Sequence, residues 1–392
     1  MDVVMVHNFY QIPGGEDESY RSEVRLLRDA GHGVVTFTEH NDRVNSLGRL
    51  RSGLRAVWSR EAHRGLLNIL RESKPGVVHV QNFFPLISPS VYYAARCEGV
   101  PVVQSLRNYR LLCPVGLLFR DGRVCEDCVG RALPWPGIKH ACYRESRAAT
   151  TAVAAMISAH RLLGTWSEMV DVYIALTEFS RKKFIQGGLP PEKIVVKPDF
   201  VIPDPGAGEH RGDYLLFVGR LSPEKGVETL LKAWEQAGTG GRLLIVGEGP
   251  IQGRVENASK RIPGVEFLGP RSVEAVYGLM GNAQALVFPS EWYETFGRVA
   301  AEAFAKGTPV VAANIGAVAE LVEDGRTGLL FTPGDSGDLA AKIEWVSAHA
   351  GRLAKMRCEA RREYEAKYTA ARNYQALMDI YSMVIARARG RG

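Results

Sequence analysis

An α/β chain of two domains, each a parallel sheet covered by helices, is the fold the sequence predicts. Three observations lead there. Short apolar, β-rich runs occur at 2–6, 33–37, 77–80, 101–104 and 172–176, then at 214–218, 243–246, 265–268, 285–288, 309–312 and 328–331. Amphipathic stretches separate most of them; Tyr20, Val24, Leu27 and Ala30 recur at helical spacing in the first. Such alternation means parallel strands joined by helical crossovers. Finally, 392 residues suit two domains, and Pro198, Pro203, Pro205, Gly206, Gly208 and Gly212 crowd into a seam between the two series. The expected division is a first domain over 1–197 with a cysteine-rich insertion at 107–150, a second over 198–372, and a final helix over 373–392 that returns to the first.

Composition narrows the classes. With 46% apolar and 23% charged residues the chain is ordinary globular protein, which excludes disorder, collagen and coiled coil as the main state. No apolar run approaches the ~18–20 residues of a membrane span. The start, Met1-Asp2-Val3-Val4-Met5, carries an acid where a signal peptide wants basic residues, so a cytoplasmic protein is expected. The net charge of +6 comes from the first half, where residues 1–200 hold 26 Lys and Arg against 20 Asp and Glu. Eight basic residues fall in 43–74 against Glu61 and Glu72, and Leu47, Leu50, Leu54, Val57 and Trp58 lie among them at helical spacings. Two readings stay open: a surface for an anionic membrane or phosphorylated ligand, or a solvated helix packed on the sheet. A nucleic-acid partner is not expected.

In chain order, the first strand leads into Gly14-Gly15 before a helix, a loop suited to close approach by a ligand. It is not the Gly-x-Gly-x-x-Gly of dinucleotide enzymes. The run 101–104 leads into Ser105-Leu106-Arg107. Beyond it, Cys113, Cys125, Cys128 and Cys142 have a spacing that can close a tetrahedral zinc site, with two disulfides or an iron–sulfur cluster as alternatives. In the second half the strand ends carry the chemistry, because ligands of parallel sheets collect there. Run 214–218 ends in Gly219-Arg220-Leu221-Ser222-Pro223-Glu224-Lys225-Gly226, and run 243–246 ends in Gly247. Arg220 and Lys225 are natural diphosphate contacts. Run 285–288 leads to Glu294-Thr295-Phe296-Gly297, and a helix starting near Phe296 places Glu302 about two turns in. The backbone N–H groups of Phe296 and Gly297 can hold an anion, and Glu302 can take a ribose diol.

Those residues, with Gly316 and Gly328-Leu329-Leu330, resemble the retaining glycosyltransferases of GT-B family 4. The resemblance implies two Rossmann-like domains facing a cleft, with the last helix crossing back. The second domain would bind a UDP- or GDP-sugar, and the first a glycan or lipid-linked acceptor, as in cell-surface polysaccharide synthesis. By the same resemblance Arg220 and Lys225 bind the diphosphate, Glu302 the ribose and Glu294 the donor sugar, while Gly14-Gly15 lies over donor phosphates and sugar. A hexosyl transferase peripheral to the cytoplasmic face of a membrane fits this picture. Many members have His where Arg107 stands; Arg cannot act as a titrating base but can bind a sugar hydroxyl or phosphate, or else form a buried salt bridge. With no Asp-x-Asp triplet, turnover without a catalytic divalent metal is expected. A GT-B sugar-nucleotide epimerase with Glu16 and Glu294 as its carboxylates, and an inactive donor-binding homologue, are the competing readings.

Overall fold

The computed structural model describes residues 1–12, 14–238 and 240–390, without the side chains of Arg49 and Leu50. The strands are β1 (Asp2–Phe9), β2 (Gly33–His40), β3 (Val77–Asn82), β4 (Val102–Ser105), β5 (Phe119–Arg120), β6 (Arg123–Val124), β7 (Val172–Ala175), β8 (Ile194–Val196), β9 (Tyr214–Val218), β10 (Arg242–Val246), β11 (Val265–Gly269), β12 (Ala285–Phe288), β13 (Val310–Ala313) and β14 (Gly328–Phe331). They form two six-stranded sheets, ordered β2-β1-β3-β4-β7-β8 and β11-β10-β9-β12-β13-β14, and a two-stranded ladder of β5 with β6. Every pair within the large sheets is parallel. The chain is thus α/β with two parallel sheets.

Two compact units result. One holds Met1–Leu118, Cys125–Pro198 and Asn373–Gly392; the other holds Phe119–Val124 and Asp199–Arg372. The β5–β6 hairpin therefore groups with the second unit, although the rest of the cysteine-rich segment groups with the first.

In the first unit, Val3, Met5, Val77, Val103, Val172 and Ile174 meet Tyr20, Val24 and Leu27 of helix Gly15–Asp29. Ala30 ends that helix and is exposed, so the apolar stripe stops at Leu27. Leu377, Ile380, Tyr381 and Val384 of the last helix, Ala370–Arg389, complete this core. A three-to-four residue spacing puts those four on one helical face, which the strands cover. In the second unit, Leu215, Phe217, Leu243, Ile245, Val287 and Val311 pack with Leu230 and Trp234 of helix Val227–Ala237 and Leu339 and Ile343 of helix Ser336–Ala348. Strands buried on both faces read as unbroken apolar runs, which is why they were legible without alternation.

Candidate functional site

In the second sheet the winding reverses between β9 and β12, so the loops leaving these two strands diverge and open a crevice at their carboxyl ends. Glycines lock the loops together there. Gly247 and Gly249 have φ of 140° and 156°, and an added Cβ would stand 1.9 Å from the Gly219 carbonyl and 2.4 Å from that of Leu221. Gly226, at φ 69°, would place a Cβ 1.8 Å from the Pro289 carbonyl. Gly247 thus has a packing reason to be glycine, because the loop after β9 lies against it.

The loops present a charged group. The Glu294 Oε1 accepts from Lys225 Nζ at 2.5 Å, Ser290 Oγ at 3.0 Å and Trp292 Nε1 at 2.9 Å. The Lys225 ammonium also lies 5.2 Å from the centre of the Trp292 ring. Glu294 is buried, Lys225 half-buried and Arg220 exposed. One carboxylate oxygen thus orients the ammonium, while Arg220 stands open to solvent.

Helix Arg298–Ala305 starts two residues later than expected. Gly297 caps it at φ 100°, with space for a Cβ closed by Val318 Cγ2 at 3.1 Å, and Phe296 is buried against Tyr368 at 5.7 Å between rings. Glu302 consequently lies one turn into the helix, whose first turn begins at Arg298. Arg298 Nε donates to Glu302 Oε1 at 2.9 Å, and its guanidinium is 3.9 Å from Asp199. Burial opposes the charge on Arg298; Asp199 and Glu302 outweigh it and hold the group more firmly protonated.

In the first unit Gly14 and Gly15 are exposed at the start of their helix, and an added Cβ on either would meet nothing within 4 Å. Neither has positive φ. The fold of this unit therefore does not demand glycine at these positions. Beside them stands a group the sequence did not bring together. Tyr10 Oη donates to Glu16 at 3.1 Å, and Asn108 Nδ2 donates to both Glu16 oxygens at 3.1 Å. Burial raises the Glu16 carboxyl above its usual range against the pull of Asn108, His7, Tyr10 and Arg107. The sequence signals were faint: an acid directly after Gly14-Gly15, and an amide directly after Arg107.

Arg107 lies elsewhere in this unit's charge pattern. Its Nε donates to Gln81 Oε1 at 2.5 Å and its Nη2 is 3.6 Å from Glu23. Lys197 donates to the same Glu23 at 2.8 Å and to Asn373 at 3.0 Å, and His79 bridges Tyr381 at 2.7 Å and Ser105 at 2.9 Å. Burial works to raise Glu23, but Lys197, His79 and Arg107 prevail and bring it down to about 2. Burial lowers His79 to about 4. Arg107 is thus built into a buried ion network, the salt-bridge arrangement left open above.

The cysteines gather loosely. Cys113 and Cys128 are buried and Cys125 and Cys142 half-buried. Around Gly137 stand the Cys128 Sγ, 3.5 Å from where a Cβ would be, the ring of Pro114 at 2.9 Å, and the Cys142 amide, which donates to the Gly137 carbonyl at 3.1 Å. Burial, then Cys113, pushes the Cys128 thiol up to about 12. Among the described residues, no three His, Cys, Asp or Glu side chains stand as a metal-holding group. The side-chain positions thus depart from the tetrahedral cage that the spacing suggests.

In the basic stretch, Arg55 pairs with Glu39 at 2.9 Å and Glu61 at 2.7 Å, Arg43 with Glu39 at 2.7 Å and Arg71 with Glu98 at 2.9 Å. Part of its charge is therefore neutralised in place. The side chains of Arg49 and Leu50 lie outside the described residues. No helix among the described residues is long and apolar enough to cross a membrane.

The chain is similar to known proteins in sequence and fold. Residues 14–199 match the family model of the glycosyl transferase 4-like domain, and residues 212–349 that of glycosyl transferases group 1. A 138-residue stretch is 40% identical to glycogen synthase of Mycobacterium tuberculosis, covering 34% of this chain and 33% of that one. The chain thus matches about a third of that relative's length. An uncharacterised 42.6 kDa protein in the cps region of Klebsiella pneumoniae is 24% identical over 357 residues, covering 82% of this chain and 87% of its own. Among solved structures, Anabaena HepE in complex with UDP superposes at a TM-score of 0.70 with 20% identity, covering 98% of this chain and 100% of the other. That likeness establishes the GT-B fold.

Proposed function

The chain belongs to the glycosyl transferases group 1 family, and from that premise we propose that it transfers a sugar, with retention, from a nucleoside-diphosphate sugar to a glycan or lipid-linked acceptor. One observation carries the reading. At the β9/β12 switch point a buried Glu294 holds the Lys225 ammonium beside an exposed Arg220, with Glu302 oriented by Arg298 one turn into the neighbouring helix.

In this reading Arg220 and Lys225 bind the diphosphate, Glu302 the ribose diol and Glu294 the donor sugar. The bond from sugar C1 to the diphosphate oxygen breaks, and a bond from C1 to an acceptor hydroxyl oxygen forms on the same face. The leaving phosphate takes the hydroxyl proton. Charge grows on that phosphate in the transition state, where fixed cations act most strongly. Gly14 and Gly15, exposed and without a packing reason to be glycine, suit a loop approached by a ligand. The Anabaena neighbour's UDP supports uracil as the base, and the cps-region relative supports a role in cell-surface polysaccharide synthesis. Arg107 is assigned to positioning the turn after β4.

Calorimetry tests the site. Glu302→Ala should weaken UDP or GDP binding by ~1.5–3 kcal/mol, the worth of a charged hydrogen-bond set. Unchanged affinity in a folded variant would remove Glu302 from the ribose. A structural zinc on Cys113, Cys125, Cys128 and Cys142 is a separate proposal. Protein purified without chelator should then carry about one zinc per chain, and metal-free protein would dismiss it.

A further inference from the structure

Among the described residues nine large apolar side chains stand exposed, and six of them, Leu54, Trp58, Leu133, Trp135, Leu162 and Leu163, gather round one helix of the first unit, Arg147–Leu162. On one flank lies helix Arg49–Val57. A Cβ on its Gly53 would sit 3.3 Å from that of Ala152, the Val57 carbonyl bonds His160 at 2.9 Å, and Trp58 stacks on His160 at 6.4 Å. On the other flank Ser158 donates to the Ala132 carbonyl at 2.8 Å and Arg161 to that of Arg131 at 2.5 Å, while the Arg131 guanidinium lies 5.6 Å from the Trp135 ring centre. Leu162, 84% exposed, and Leu163 end the helix between the flanks. Helix Arg49–Val57 therefore packs against helix Arg147–Leu162, and it leaves Leu54 and Trp58 outward.

Two features identify the occupant. Between the flanks the outward positions of the helix, Ala148, Thr151 and Ala155, are small and uncharged. Around them stand exposed Arg51, Arg60, Arg131, Lys139, Arg144 and Arg147. The acids near the face are Glu145, Glu61, which is held by Arg55, and Glu168, which stands beside Gly164 at the helix end, so the basic residues of the rim outnumber them. An apolar centre with Trp side chains and a cationic rim matches an anionic lipid surface: the rings and leucines enter the headgroup boundary and the arginines meet lipid phosphates. A second copy fits poorly, since a two-fold contact sets the cationic rim against itself. We propose that this face docks the protein on an anionic bilayer. The docking stands apart from the transferase reading; a lipid-linked acceptor would follow from the two together.

Flotation of the full chain with phosphatidylcholine vesicles, with and without phosphatidylserine, tests it. Wild type should float only with the anionic vesicles and release at high salt. Trp135→Ser with Leu162→Ser should cut the bound fraction about tenfold or more at an unchanged melting temperature, because both side chains are exposed. UDP calorimetry on the same variant separates this result from any failure of the donor site. Absence of flotation at low salt overturns the proposal, as does flotation of the variant like wild type. Light scattering that shows a dimer broken by the two substitutions would assign the face to a second copy and overturn it too.

Discussion

The two sheets share a winding rule and use the charges at their strand ends in opposite ways. Past β4 and β8 of the first sheet stand Arg107 and Lys197, whose side chains are 3% and 2% exposed and closed on Glu23. Past β9 of the second stand Arg220, exposed, and Lys225, 23% exposed at its side chain. A buried pair must be complete, because one partner left alone in low dielectric is severely unfavourable. An exposed cation costs the fold little and stays available to an incoming phosphate. The same residue types at like positions are therefore a fastening in one unit and a candidate ligand site in the other.

The contrast breaks most sharply at the fastening. Arg107→Met should destabilise the first unit by ~3–5 kcal/mol, since it strands Glu23 beside one cation instead of two. Calorimetric melting measures it, and an unchanged profile would mean the network does not hold the unit. Arg220→Ala should do the reverse. Its stability change should stay within ~0.5 kcal/mol, while turnover with a sugar nucleotide falls ~100-fold or more. Normal turnover would take Arg220 out of the site, and EDTA should leave the wild-type rate unchanged.

A smaller effect is set by pH. Burial holds His79 at about 4 in the folded state, below the ~6.5 of an unfolded chain. The unfolded state therefore takes the proton first as pH falls, and stability declines from about pH 6.5 toward 4, by ~2 kcal/mol between 6.5 and 5. Glu23, held at about 2, adds its loss only below the ~4.3 of an unfolded glutamate. Melting of wild type and His79→Gln across this range sharpens the comparison. The variant should flatten the limb above pH 5, and parallel curves would count against a neutral buried His79.

Much of this was legible without coordinates. The strands of both sheets announced themselves as apolar runs bounded by glycine and proline, except β8, whose three residues are too few to show a pattern. The β5–β6 hairpin turns at Asp121-Gly122, residue types suited to a two-residue turn. That Arg220, Lys225 and Glu294 stand past the ends of β9 and β12 was legible, because the apolar runs before them were. The start of helix Arg298–Ala305 was not, because Gly297 takes a left-handed φ only where Val318 and the buried Phe296 close the turn. The trio of Tyr10, Glu16 and Asn108 was also hidden, since Asn108 lies 92 residues beyond Glu16.

By itself the sequence determined the local features: strand runs, helical faces, the strand-end chemistry of the second half and the family resemblance. These depend on periods of two to eight residues and on short spacings, which a chain carries wherever it folds. Only the tertiary structure decided which charges are fastenings. Glu23 lies 84 residues before Arg107 and 174 before Lys197, and Asn373 a further 176 along. Nothing local marks such partners; they meet because the helices that carry Glu23 and Asn373 pack their apolar faces on the same sheet. Burial then turns a nearby cation from a solvated side chain into an obligatory counter-charge.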